Sequence, residues 1–158
     1  MSLTSIKTIL CTTNLDDHTR PVLREAVNLA LSFKAQLIML HVMKPIGEIG
    51  HNIIINNFSK DKALSIYRHE LSEIRDKMMK RSLDFFEEEL GDDIDYSSLN
   101  MKQVVLDGDR VKNILRMAKK SDIVVMGSHS YFGYSSNTTR QVIKRSPCPV
   151  FVVPTKVS

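Results

Sequence analysis

The sequence has few of the features that mark membrane, secreted or disulfide-bonded proteins. Its apolar runs, such as Ile123–Met126 and Val150–Val153, are far shorter than the roughly 20 residues that span a bilayer. Its two cysteines, Cys11 and Cys148, are too few for a disulfide framework, and each lies in an apolar run where a buried side chain is expected. The N-terminal segment also lacks a signal-peptide pattern. We therefore expect a cytoplasmic protein with no membrane partner.

The sequence also lacks a dense basic tract. Lys and Arg together number 22 against 18 Asp and Glu, a formal charge of +4. The basic residues at 77–81 are balanced by Glu87–Glu89 on the same predicted helix, so we expect a solvated surface and no nucleic-acid partner. No repeat, low-complexity stretch or linker divides the 158 residues. We therefore expect one domain, residues 1–158.

What the sequence does contain is a regular alternation of short apolar runs and amphipathic segments. The runs predict five strands, at Ile6–Thr13, Ala35–Met43, Asn100–Leu106, Asp122–Met126 and Val150–Val153. Helices are predicted between them, after the caps Thr19 and Asp109, from Lys60 to Leu90, and after Ser135–Thr139. This alternation indicates an α/β fold with a parallel sheet and helices on both faces.

Three of the predicted helices carry apolar side chains at helical spacing, which predicts their buried faces. These are Val22, Leu23, Ala26, Val27, Ala30 and Phe33 in the first helix, Leu64, Tyr67, Leu71, Ile74 and Met78 in the second, and Val111, Ile114, Leu115 and Ala118 in the third. The stripe on the second helix is interpreted as core packing, because it is too short for a coiled-coil seam.

Candidate binding residues lie where the predicted strands end, since ligands of open parallel sheets bind at carboxyl ends where the strand order reverses. Thr12, Thr13 and Asn14 end the first strand, Val42 lies near the end of the second, and Met126 and Gly127 end the fourth. The following loop and helix start supply six more candidates, which are His129, Ser130, Gly133, Ser136, Asn137 and Thr138. Exposed N–H groups at that helix start favour a phosphate. The alternative is that Ser136 or Asn137 only caps the helix.

The sequence offers little for catalysis or for metal binding. The five histidines show no metal-ligand spacing, and no nucleophile elbow, phosphate-binding loop with lysine or zinc-protease helix is present. His41 lies in an apolar strand and is expected to be a hydrogen-bonded core histidine, whereas His129 lies in the candidate loop. We therefore expect no catalytic and no metal-binding residues, and a protein that is not an enzyme.

Several segments together resemble the universal stress protein family over roughly Ile6 to Pro154. The segment Ile123–Ser130 and the segment Ser146–Val153 are similar to its C-terminal signature, and Lys7–Asn14 is similar to its first strand. The resemblance implies a Rossmann-like, adenine-nucleotide alpha-hydrolase-like fold of five parallel strands in the order 3-2-1-4-5. It also implies a stress-response regulatory or binding protein, with ATP or another adenine nucleotide as its ligand.

The glycine motif of the nucleotide-binding members is only partly present. Gly127 matches its first glycine, but Ser130 stands at the second, and Asn14 replaces the aspartate that ends the first strand. Counted back from Pro147, the final Gly-Ser/Thr position falls on Ser136 and Asn137. Counted forward without a gap, the third glycine falls on Arg140, an alignment we do not prefer. A side chain in place of glycine hinders close approach to phosphate, so contacts to base and ribose are expected to persist better than a triphosphate clamp, and Mg²⁺ stays an open question.

The resemblance also implies a homodimer in which the edge strands Val150–Val153 pair antiparallel. A second interpretation is a nucleotide-free dimer that acts through contacts with another, unidentified protein partner. The segment Lys44–Ser59, with Ile53–Ile55 and Phe58, is predicted either to form a lid or partner surface or to fold back onto the core.

Overall fold

The computed structural model describes residues 5–13, 19–43, 60–85, 87–88, 98–128 and 137–155. Five strands and four helices alternate within these ranges. The strands are β1 (Thr8–Thr12), β2 (Gln36–Met43), β3 (Met101–Asp107), β4 (Ile123–Gly127) and β5 (Val150–Val153). The helices are α1 (Arg20–Phe33), α2 (Lys60–Phe85), α3 (Arg110–Ala118) and α4 (Asn137–Arg145). The predicted elements are confirmed, with most ends within two residues. The segment Lys44–Ser59 lies outside the described residues.

The strands form one parallel sheet in the order β3-β2-β1-β4-β5. In register, Ile9 of β1 lies between Leu37 of β2 and Ile123 of β4. The chain builds outward from β1 through β2 to β3 and then crosses back to add β4 and β5 on the other side. This confirms the predicted fold class, and it makes the crevice between the ends of β1 and β4 the point where the strand order reverses.

Each face of the sheet carries its own apolar core. One core joins strand side chains such as Cys11 and Met39 to α1 and α2, and the other joins side chains such as Leu40 and Val124 to α3 and α4. Strands buried on both faces must be apolar at successive positions, which explains the nearly continuous apolar sequence of β2. Among the described residues, no helix combines the length and the apolar character needed to cross a bilayer.

The helix faces differ from the predicted ones in a few places. Phe33 is 45% exposed, because it is the last residue of α1 and the next residue, Lys34, turns into the left-handed region at φ 53°. Val111 and Leu115 are only half-buried. Asn113 is buried instead, and its side-chain amide donates hydrogen bonds to the Asp107 and Asp109 carbonyls.

The remaining predictions of burial have mixed outcomes. In α2, Met78 is fully buried and Leu71 and Ile74 are half-buried against the core, as predicted, while the side chains of Leu64 and Tyr67 lie outside the described residues. Cys11 is buried, but Cys148 is only half-buried.

Candidate functional site

The end of β1 is buried and lies next to the end of β4. Cys11 is in register with Val125, so Thr13 reaches the level of Gly127. Thr12 and Thr13 are only 7% and 6% exposed. The structure therefore brings two of the predicted segments together at the reversal point of the strand order.

Backbone and side-chain hydrogen bonds fix Thr13 against β2. Its N–H donates to the Leu40 carbonyl at 3.0 Å, and its own carbonyl lies 2.9 Å from Nδ1 of His41. Since a carbonyl oxygen only accepts, Nδ1 is the protonated ring nitrogen and donates. His41 is thus hydrogen-bonded, as predicted, but it is half-buried and it holds the end of β1 in position.

The surroundings of His41 favour its neutral form. Burial lowers the pKa of His41 below its ordinary value of 6.5, and the positive charges of Arg110 and Lys77 act in the same direction. The hydrogen bond to the Thr13 carbonyl opposes this effect and raises the pKa, but the net shift is downward. The ring is therefore neutral at neutral pH.

This lowered pKa predicts acid destabilisation. The unfolded chain takes up a proton at His41 at a higher pH than the folded protein does, so the free energy of unfolding falls as the pH drops below 6.5 and through the folded pKa. Urea unfolding at about pH 7.5 and about pH 5 measures the loss. A His41→Gln variant, which does not titrate, is expected to lose less stability over this interval. Equal losses in both proteins would contradict the assignment.

The end of β4 is tied to α4 and to the segment after β5. The Gly127 carbonyl accepts a hydrogen bond from the Thr139 hydroxyl at 3.0 Å, across the start of α4. Ser128 N–H donates to the Val153 carbonyl at 2.9 Å, and the Ser128 hydroxyl accepts from Thr155 N–H at 3.0 Å. These bonds place the N-terminus of α4 beside the reversal point.

Packing explains the glycine at position 127. A Cβ added there would lie 3.1 Å from Cγ2 of Thr155 and 3.3 Å from Cγ2 of Val22. The φ of Gly127 is not in the left-handed region, unlike that of Gly108 at 108°, so backbone conformation does not call for glycine here. The reason for Gly127 is therefore the approach of α1 and of the segment after β5.

The predicted α4 start has a polar first turn without an acidic residue. Asn137 is exposed, Thr138 is half-buried and Thr139 is buried. No carboxylate of the first turn therefore opposes an anion at the positive end of the helix dipole.

The remaining candidates are either buried in the core or outside the described residues. Val42 and Met126 are 8% and 3% exposed and belong to the core under α3 and α4. The other candidates, Asn14, His129, Ser130, Gly133 and Ser136, lie outside the described residues. Sequence reasoning missed Thr139 and Thr155 as structural partners of this edge. The pairing of Gly127 with Val153 brings Thr155 here, so the strand order was the signal that could have found it.

Comparison with known proteins agrees with this architecture. The model of the Universal stress protein family matches residues 55–154. The chain belongs to the universal stress protein family. No curated protein sequence matches the chain.

Solved universal stress proteins have the same fold at low sequence identity. A universal stress protein UspA from Lactobacillus plantarum is 21% identical with a TM-score of 0.71, over 96% of this chain and 99% of that one. A universal stress protein in complex with cAMP is 17% identical with a TM-score of 0.57, over 97% and 100% of the two chains. One from Archaeoglobus fulgidus in complex with dAMP is 17% identical with a TM-score of 0.54, over 95% and 99%.

Proposed function

We propose that this universal stress protein is a regulatory protein that binds an adenine nucleotide at the carboxyl ends of β1 and β4. The observation that carries the proposal is the bond from Thr139 to the Gly127 carbonyl, which holds the start of α4 beside the reversal point of the sheet. Binding, not catalysis, is the proposed activity.

The backbone of β2 supports recognition of the base. The Leu40 carbonyl accepts a hydrogen bond from the Thr13 N–H on the side of β2 that faces β1. Because alternate residues of a strand direct their backbone groups to the same neighbour, the N–H and C=O of Val42 also face that side. The Val42 carbonyl reaches past Thr13, the last described residue of this segment. A C=O at the end of a strand is an acceptor that complements the exocyclic amino group of adenine.

The first turn of α4 supports recognition of phosphate. Its helix is nine residues long, it has no acidic residue in the first turn, and Lys144 and Arg145 occupy its last turn. The N–H groups of the first turn and the helix dipole favour an anion at this end. Two solved family members are in complexes with cAMP and dAMP, which is consistent with an adenine mononucleotide as the ligand class.

The state of the reactive side chains near this edge favours binding over catalysis. Burial raises the pKa of the Cys11 thiol to about 12, so it is not a thiolate nucleophile at neutral pH. The Nδ1 atom of His41 is engaged by the Thr13 carbonyl. Both side chains therefore have structural roles, Cys11 in the core and His41 in holding the end of β1.

Thermal unfolding with adenine nucleotides tests the proposal. We expect AMP, ADP, ATP or cyclic AMP, with Mg²⁺ present, to raise the melting temperature by several degrees at saturation, since a ligand at one hundred times its Kd adds about 2.7 kcal/mol. Inosine monophosphate is the matched control for AMP, because a carbonyl replaces the amino group. It is expected to shift the transition much less.

A pair of threonine variants localises the ligand. Thr139→Val removes the bond to Gly127 and is expected to weaken nucleotide binding several-fold, because the start of α4 loses its anchor. Thr8→Val, at the opposite end of β1, is expected to leave it unchanged. No shift with any adenine nucleotide would reject the nucleotide proposal, and equal effects of the two variants would reject its location.

The open edge of the sheet supports a second candidate function, that of a dimeric interaction protein without nucleotide. β5 pairs with β4 on one side only within the described chain, and Phe151 is 41% exposed on it. An exposed apolar edge strand is a template for pairing with another strand. We therefore also propose that the protein forms a homodimer through Val150–Val153, whether or not it binds a nucleotide. A dimer whose melting temperature does not change with any nucleotide would favour the second candidate function.

A further inference from the structure

The helices α3 and α4 carry charge of one sign. Residues 110–120 and 137–145 contain eight lysines and arginines and no aspartate or glutamate. The two helices pack against each other on one face of the sheet, where Ile114 and Val142 belong to the same core. On the other face, α1 and α2 each contain both acidic and basic residues. The excess of positive charge therefore lies on the α3 and α4 face.

The basic side chains of α3 form an exposed row. Lys112, Arg116 and Lys119 are exposed and are spaced by four and three residues, and the exposed Lys120 follows. We refer to these four residues as the basic row. Residues at this spacing are neighbours on one side of a helix, with Cβ atoms about 5–6 Å apart. Among the residues that the structure describes, no carboxylate forms an ion pair with any of the four. Their charges are therefore available to a partner.

A buried asparagine holds one cation of the basic row in place. The Arg116 guanidinium donates to Oδ1 of Asn113 at 2.8 Å. Asn113 is itself fixed, because its Nδ2 donates to the carbonyls of Asp107 and Asp109 at 2.9 and 3.0 Å. The partner of Arg116 is thus a neutral amide, which orients the guanidinium without neutralising it. The remaining N–H donors of its planar fork suit a carboxylate, and an oriented fork loses less entropy when it binds one.

Carboxylates lie at both ends of the basic row. Asp107 and Asp109 precede α3, and Asp109 accepts from the Lys112 N–H at 2.9 Å. Asp122 follows the helix and accepts from two backbone N–H groups at the start of β1. The row therefore extends for roughly 12 Å, at the helical rise of about 1.5 Å per residue.

This short length favours an acidic protein segment over a nucleic acid. A DNA duplex carries a phosphate charge about every 1.7 Å of its axis, so it would continue past the row and over the carboxylates at its ends. Residues 110–120 and 137–145 also contain no aromatic side chain on which a base could stack. A protein segment can instead end its own acidic residues where the basic row ends.

We propose that the basic row binds a helix of a partner protein that presents aspartate or glutamate at a spacing of three and four residues. Carboxylates at this spacing are about 5–6 Å apart, as the cations are, so each turn of the partner can form an ion pair. Arg116 binds its carboxylate through two parallel N–H donors. None of the four residues belongs to the proposed nucleotide site, so the interaction goes beyond nucleotide binding and does not depend on it.

Fluorescence anisotropy with labelled model peptides tests the proposal on the wild-type protein. The probe is an alanine-based helical peptide with glutamates spaced by four, three and four residues. The same glutamates distributed around the helix give a control of equal charge, and glutamines in their place give a neutral control. We expect the probe to bind about fivefold more tightly than the control of equal charge, and to lose affinity as salt is added. Equal binding of the two acidic peptides would overturn the proposal.

Two variants that each remove one positive charge test the location. Arg116→Gln is expected to raise the Kd of the probe about fivefold. Lys80→Gln, at an exposed position of α2 on the other face of the sheet, is expected to leave the Kd unchanged. Equal effects of the two variants would overturn the assignment to the basic row. A DNA duplex that binds more tightly than the probe and loses affinity in Arg116→Gln would assign the row to nucleic acid and overturn the acidic partner.

Discussion

Gly127→Val is expected to lower the free energy of unfolding by about 3 kcal/mol, at the upper end of the range for an overpacked core. A Cβ at this position would lie 3.1 Å from Thr155 Cγ2 and 3.3 Å from Val22 Cγ2, and valine adds two methyl groups beyond it. Val22 is buried under β4, so it has little room to move. Urea unfolding of the wild type and the variant measures the loss.

A smaller substitution with a matched second change tests the cause. Gly127→Ala introduces the Cβ alone, and we expect it to cost about 1–2 kcal/mol. Thr155→Ser deletes the Cγ2 atom that lies closest to that Cβ and keeps the hydroxyl. In the Thr155→Ser background the cost of Gly127→Ala is expected to fall clearly. The same cost in both backgrounds would show that Thr155 does not impose the glycine.

The sequence was sufficient to predict the sheet because the strands are buried on both faces. Leu37–Leu40 and Val124–Met126 have no polar alternation that could belong to a half-exposed strand or to an amphipathic helix. The strand order came from family resemblance, since periodicity carries no information on neighbours. Helix ends were harder, because Phe33 fits the apolar spacing of α1 but stands at its last position, where the chain turns away.

The candidate site was predictable only at the level of which strand ends meet. Thr12, Thr13 and Gly127 follow from the rule that ligands bind at the reversal point. The contact between Thr139 and Gly127 joins residues 12 apart in sequence, and the bond between His41 and Thr13 joins residues 28 apart. Such contacts depend on how far each strand projects, which the sequence pattern does not state. The reason for Gly127 was also hidden, because Val22 and Thr155 lie far from it in sequence.

The direction of the backbone groups in β5 gives a test of the proposed homodimer. The Pro149 carbonyl accepts from Val124 N–H at 3.0 Å, and the Val153 carbonyl accepts from Ser128 N–H at 2.9 Å. Residues of one parity therefore bond to β4, and Val150 and Val152 between them direct their N–H and C=O groups to the open edge. A substitution that removes the N–H of Val152 therefore removes a hydrogen bond to the partner's strand and leaves the hydrogen bonds to β4 in place.

Val152→Pro is therefore expected to convert the dimer into a folded monomer. Proline is tolerated on edge strands where its missing N–H would face outward, and its ring blocks an approaching strand. Light scattering is expected to give twice the 18.0 kDa chain mass for the wild type and the single mass for the variant. Phe151→Pro is the matched control, because it removes an N–H that faces β4 and should destabilise the fold itself. A wild-type monomer would reject the homodimer, and a Val152→Pro dimer would reject pairing through β5.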